Sequence, residues 1–131
     1  MFKILPIQSK EEQAQCAELC NAVYLAEAFG YAMRDFETES LMGFAQFDIC
    51  GERAELYDLK PANGGDDFEA MFILGRQTLN FMEKCGAEIV YAAEGCADIT
   101  LLKAIGFKLC DNGGYSIHIK GIFEGHCKSC G

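Results

Sequence analysis

From Leu41 to Ile49 the apolar residues alternate, with Leu41, Gly43, Ala45, Phe47 and Ile49 on one side, the period of a half-buried strand. Cys50-Gly51-Glu52 reads as a turn, and residues 53–60 return antiparallel. Further along, Phe68, Met71, Phe72, Gly75, Leu79 and Met82 recur at helical spacing. A Met/Phe stripe of this kind is a core face laid against a sheet. Asp66 and Glu69 stand at N-cap and N3 spacing before that helix, and Cys85-Gly86 ends it. Residues 88–93 then form a short, nearly continuous apolar run, which suits a strand buried on both faces. Asp98 can cap a second helix over 99–105, with Gly106 supplying the left-handed residue that closes it.

The rest of the chain completes this pattern. Residues 2–7 read as a first strand. Ser9 and Glu12 make a capping box that opens a helix to about Ala28, with Gly30 breaking it. A strand follows over 31–36, then a polar turn at Glu37-Thr38-Glu39-Ser40. Ala62-Asn63-Gly64-Gly65 is a loop leading into the central helix. Asp111-Asn112-Gly113-Gly114 joins two final strands, because Asn-Gly accepts the positive φ of tight hairpin turns. The order β-α-β-β-β-α-β-α-β-β predicts an α+β fold. Its mixed central sheet combines an antiparallel meander, a parallel crossover and a C-terminal hairpin, with helices on both faces. Residues 1–124 form one domain and residues 125–131 a cysteine-containing tail.

Composition narrows the partners. A chain of 131 residues buries about two-thirds of its unfolded surface, enough for one core. No apolar run approaches the ~20 residues of a membrane helix, and the start lacks the features of a signal peptide, so the expectation is a cytoplasmic protein without membrane contact. Twenty acidic against eleven basic side chains give a net charge of −9. That field repels phosphate backbones and argues against nucleic acid; it suits neutral or cationic partners. The eight cysteines are scattered and fit reduced thiols better than a disulfide framework. Cys127-Lys128-Ser129-Cys130 has ligand spacing, but with His126 it supplies at most three ligands where a closed zinc site needs four. No metal is expected, and a thiol metal carrier is the weakest functional reading.

Two stretches carry a resemblance. Leu101-Leu102-Lys103-Ala104-Ile105-Gly106-Phe107 looks like the C-terminal helix and leucine-glycine-phenylalanine step of the GNAT superfamily of N-acetyltransferases, and Leu56-Tyr57-Asp58-Leu59-Lys60-Pro61 looks like its fourth strand. Gly75-Arg76-Gln77-Thr78-Leu79 is similar to the helix after the family's phosphate loop. The resemblance implies acetyl-CoA, or another acyl-CoA, in a gap between splayed fourth and fifth strands. Pantetheine would pair with the fourth strand's backbone, and pyrophosphate would sit on amides at the next helix's N-terminus. It nominates Leu59, Lys60, Gly64, Gly65 and Gly75 as coenzyme contacts. It also nominates Asp58 or Glu55 as the base that takes the amine proton, and Tyr115 as an acid.

The chain departs from the family pattern in its phosphate signature, Gln/Arg-x-x-Gly-x-Gly/Ala. Ala70-Met71-Phe72-Ile73-Leu74-Gly75 keeps only the last glycine. The alternative loop, Ala62-Asn63-Gly64-Gly65, could form an anion-binding nest but is followed by Asp66 and Asp67. The family's acid tyrosine falls at Leu102. The expectation is a GNAT-fold binding or assembly module, with a homodimer among its forms, in which acetyl-CoA chemistry is lost or weakened. The alternative is an acetyl-CoA-dependent N-acetyltransferase acting on a small amine or a protein amine.

Overall fold

The computed structural model describes residues 1–122. The strands are β1 (Phe2–Pro6), β2 (Phe29–Asp35), β3 (Leu41–Cys50), β4 (Arg53–Pro61), β5 (Ile89–Ala92), β6 (Lys108–Leu109) and β7 (Tyr115–His118). The helices are α1 (Lys10–Leu19), α2 (Phe68–Lys84) and α3 (Ile99–Ile105). One sheet of order β1-β2-β3-β4-β5-β7-β6 holds all seven strands. Its pairs are antiparallel except β4 and β5, which lie parallel because α2 carries the chain across between them. The predicted α+β layout is therefore the observed one. Among the described residues no helix is long and apolar enough to cross a membrane. The Cys127/Cys130 pair lies outside the described residues.

All three helices end in the same way. At α1 the Ala22 N–H reaches back to the Ala17 carbonyl and Asn21 N–H to that of Glu18; α2 repeats this with Ala87 on Met82 and Gly86 on Glu83. In α3 the Phe107 N–H bonds the Leu102 carbonyl across Gly106. These are Schellman closures, which need a left-handed residue just past the helix. Gly86 and Gly106 supply it where expected. In α1 the residue is Asn21 (φ 56), so that helix stops at Leu19 instead of near Ala28. Gly30 breaks no helix; it pairs with Gln46 inside β2. A second correction concerns α2, whose N-cap is Asp67 rather than Asp66: its carboxylate accepts from the Ala70 N–H at 3.0 Å.

The main core lies between the sheet and the α2–α3 layer. Met33, Ala45, Phe47, Leu56, Leu59 and Val90 of the sheet meet Met71, Leu74, Leu79 and Met82 of α2, with Leu101, Leu102 and Ile105 of α3. Most of the predicted Met/Phe stripe is buried, although Phe68 is exposed and Phe72 only half-buried. Gly75 permits close packing: a Cβ there would stand 2.5 Å from Ile105 Cδ1 and 3.0 Å from Leu59 Cδ2. A smaller core on the opposite face joins Cys16, Ala17 and Cys20 to Ala32 and Phe44.

Two irregularities decide what faces which way. A register shift between Met33 and Arg34 leaves Met42 as an extra residue of β3, so Leu41 packs on the smaller core and not on the side of Ala45, Phe47 and Ile49 where the sequence pattern puts it. The second shift lies between β3 and β4. Gln46 pairs with Asp58 but Phe47 pairs with Leu56, so Tyr57 is an extra residue bulged out of β4. Strict alternation from Leu56 would send Asp58 into the main core. The bulge turns it to the α1 face instead and brings Leu59 into the core beside Leu56.

Candidate functional site

The gap at the ends of β4 and β5 is the natural place for a ligand in a sheet with a crossover. Here a cavity of about 530 Å³ opens there between the N-termini of α2 and α3. Leu59, Pro61, Met71 and Leu101 form its apolar floor, and Asp66, Asp67 and Asp98 stand at its rim. Two of those carboxylates are helix caps: Asp67 holds the Ala70 N–H, and Asp98 the Leu101 N–H at 3.3 Å.

Three of the nominated coenzyme residues, Leu59, Lys60 and Gly65, line this cavity, and each has a polar group engaged. The Leu59 N–H donates to the Cys96 carbonyl at 2.8 Å. Lys60 Nζ lies 3.3 Å from Asp58 Oδ1. The Gly65 N–H donates to the Ala62 carbonyl within the short 3-10 turn at Ala62–Gly64, where Gly64 is exposed. Gly64 and Gly75 do not line it, and Gly75 lies two turns inside α2, away from the helix end where a phosphate would sit. A pyrophosphate at the mouth would find the first-turn amide of Ala70 already bonded to a carboxylate, with further carboxylates beside it. No Lys or Arg occurs between Pro61 and Phe68. These carboxylates oppose an anion at that helix end.

The three nominated catalytic residues lie apart. Asp58 is buried on the α1 face in a polar cluster. Gln46 Nε2 donates to Asp58 Oδ2 and to the Val23 carbonyl, each at 2.9 Å, while Gln46 Oε1 accepts from Gln13 Nε2 at 2.9 Å and the Leu25 N–H at 3.0 Å. Every hydrogen-bonding position of the Gln46 amide is used. The result is a clamp that holds segment 20–28 down over Asp58 and completes the cover of this face beyond the short α1. Glu55 is exposed on the same face, in a shallow hollow with Asp48, Tyr57 and Tyr91. Burial raises the Tyr57 hydroxyl pKa above its ordinary value, helped by Glu55 and Asp48. Tyr115 packs against the main core on the other side, beside Leu102 and Asn112. Asp58 and Tyr115 therefore lie on opposite faces of the sheet.

Sequence reasoning missed Gln46 and Tyr57. The signal for the bulge was present, since Leu56 and Leu59 are apolar three residues apart, where a regular strand would space core residues by two. Two thiols flank Asp58: Cys20 on the α1 side and Cys96 in the main core are both pushed up to about 12, chiefly by burial and then by nearby charge, including that of Asp58. They stay protonated and unreactive at neutral pH.

A parallel β4–β5 pair extended by a cavity, behind an antiparallel meander and before a C-terminal hairpin, is the GNAT architecture, and the chain has that fold. The E. coli ribosomal-protein-S18-alanine N-acetyltransferase superposes with a TM-score of 0.69 at 13% identity, over 92% of this chain and 95% of that one. A GNAT family acetyltransferase from Brucella melitensis in complex with acetyl-CoA gives 0.68 at 14% identity, over 90% and 88%. An E. coli GNAT family N-acetyltransferase in complex with CoA gives 0.67 at 13% identity, over 90% and 81%. No family model and no curated protein sequence matches the chain.

Proposed function

We propose that this GNAT-fold chain acts as a binding or assembly module in the cytosol, with acyl-CoA chemistry lost or weakened. The observation that carries this reading is the Asp67 carboxylate on the Ala70 N–H, at the helix end where the fold would receive pyrophosphate. A carboxylate there gains about 0.3–1 kcal/mol from the helix dipole, and a phosphate must displace or oppose it. Asp66 and Asp98 add repulsion at the same rim, in a chain of net charge −9. The separation of Asp58 from Tyr115 supports the same conclusion, because amine acylation needs its base and acid around one reacting centre.

Titration calorimetry at fixed low salt tests the reading. Wild-type protein binds acetyl-CoA weakly, and Asp66→Asn/Asp67→Asn, which keeps an oxygen for the cap but removes both charges, binds it more tightly. Tight wild-type binding that the double substitution weakens would overturn the proposal. It would favour the second reading, an N-acetyltransferase acting on a small amine or a protein amine. That reading draws its support from the fold's likeness to proteins in complex with acetyl-CoA and CoA.

A further inference from the structure

The β4–β5 ladder ends at Leu56 and Ala92, and beyond it the two strands should splay and leave β4's inner edge open. The chain instead folds a tight turn into that place. The Ala93 N–H donates to the Leu56 carbonyl at 2.9 Å, and the Leu59 N–H to the Cys96 carbonyl at 2.8 Å. A further bond, Cys96 N–H to the Ala93 carbonyl at 3.1 Å, closes the turn on itself. Its two bonds to β4 bracket the Tyr57 bulge, so the turn takes up the extra residue and continues the ladder past it. Gly95 stands at φ +75, which a side chain would strain. Cys96 is 1% exposed and anchors the turn in the core. The next edge position outward is Pro61, which has no N–H to offer.

We propose that the turn over residues 93–96 is a built-in occupant of the β4–β5 gap, closing to any incoming chain the backbone donor that would hold pantetheine in this fold. The proposal rests on the reading above that acyl-CoA binding is weakened, but on different atoms. The acidic rim opposes the phosphates, whereas the turn removes the strand edge. An uncharged pantetheine ligand is therefore excluded too, and neutralising Asp66 and Asp67 restores contacts to phosphate only. What remains is the outer cavity, walled by side chains and the two helix caps.

Amide exchange followed by NMR on the full reduced chain separates the two effects, with S-acetylpantetheine, which carries no phosphate, as the probe. Without ligand, Leu59 N–H is as protected as the paired amides of β4 on either side of it, within ~10-fold. Saturating probe leaves its shift and its exchange unchanged. In Gly95→Val, where the turn is strained, Leu59 protection falls at least ~10-fold while β2 and β3 amides hold. A Leu59 amide that exchanges freely in the wild type, or that shifts and gains protection with the probe, would overturn the closed gap. So would protection that Gly95→Val leaves untouched. None of these results bears on the acidic rim, which the calorimetry with acetyl-CoA tests separately.

Discussion

The two faces of the sheet are covered by different physics. On one, α2 and α3 lay Met71, Leu74, Leu79, Met82 and Leu101 over an apolar strand surface, and the contact is stabilised by buried area. On the other, α1 spans only ten residues, and the cover is completed by segment 20–28, held by the amide of Gln46. Apolar packing tolerates small shifts, but a saturated amide clamp specifies one arrangement and leaves several groups unsatisfied if it is lost. That clamp also buries Asp58, the carboxylate that the family resemblance nominates as a base. The difference therefore bears on function as well as stability.

The largest expected effect comes from the apolar face. Leu74→Ala removes a fully buried side chain and costs about 2–5 kcal/mol in chemical denaturation, with the transition still cooperative. Losing less than about 1 kcal/mol would mean that α2 is not held mainly by its packed face.

Gln46→Ala addresses the clamp. It strips partners from Gln13, Asp58, the Leu25 N–H and the Val23 carbonyl, at a cost of about 2–3 kcal/mol. The loss is local as well as global, and two of the three buried thiols among the described residues report it. Cys20, at the start of segment 20–28, becomes roughly tenfold faster to label than in wild type, while Cys96 in the main core keeps its wild-type rate relative to unfolding. Equal acceleration of both thiols would erase the distinction between the faces.

The smallest effect belongs to neither face. Asp35, at the β2–β3 turn, accepts from the N–H groups of Thr38 and Glu37, each at 2.9 Å, and these bonds hold its carboxyl below the ordinary value. Its contribution is complete above the unfolded carboxylate pKa near ~4 and disappears as the pH falls through the lowered folded value. Melting temperatures of wild type and Asp35→Asn should therefore converge over that acidic window and differ slightly above it. An unchanged gap across the window would remove Asp35 from the acid response.

Much of the architecture was written in local pattern. The alternation of β3 from Gly43 to Ile49, though not at Leu41, the apolar stripe of α2, Gly86 and Gly106 behind their helices and the Asn112-Gly113 turn each follow from a steric or solvation preference acting over a few residues. The parallel β4–β5 pair followed in turn from the helix that must lie between them. The end of α1 was legible in principle too, for Asn21 is the one residue besides glycine that readily takes the left-handed closing position. Local pattern could not say which backbone N–H groups would remain available at the gap. Leu59 is bonded to Cys96 across 37 positions of sequence, and that pairing exists only once β4, its bulge and the turn after β5 have been brought together. The same holds for Gln46, an ordinary polar residue in a strand until the fold sets Gln13, Val23, Leu25 and Asp58 around its amide. Propensity and periodicity act between neighbours in the chain, whereas the satisfaction of a buried polar group is decided by neighbours in space.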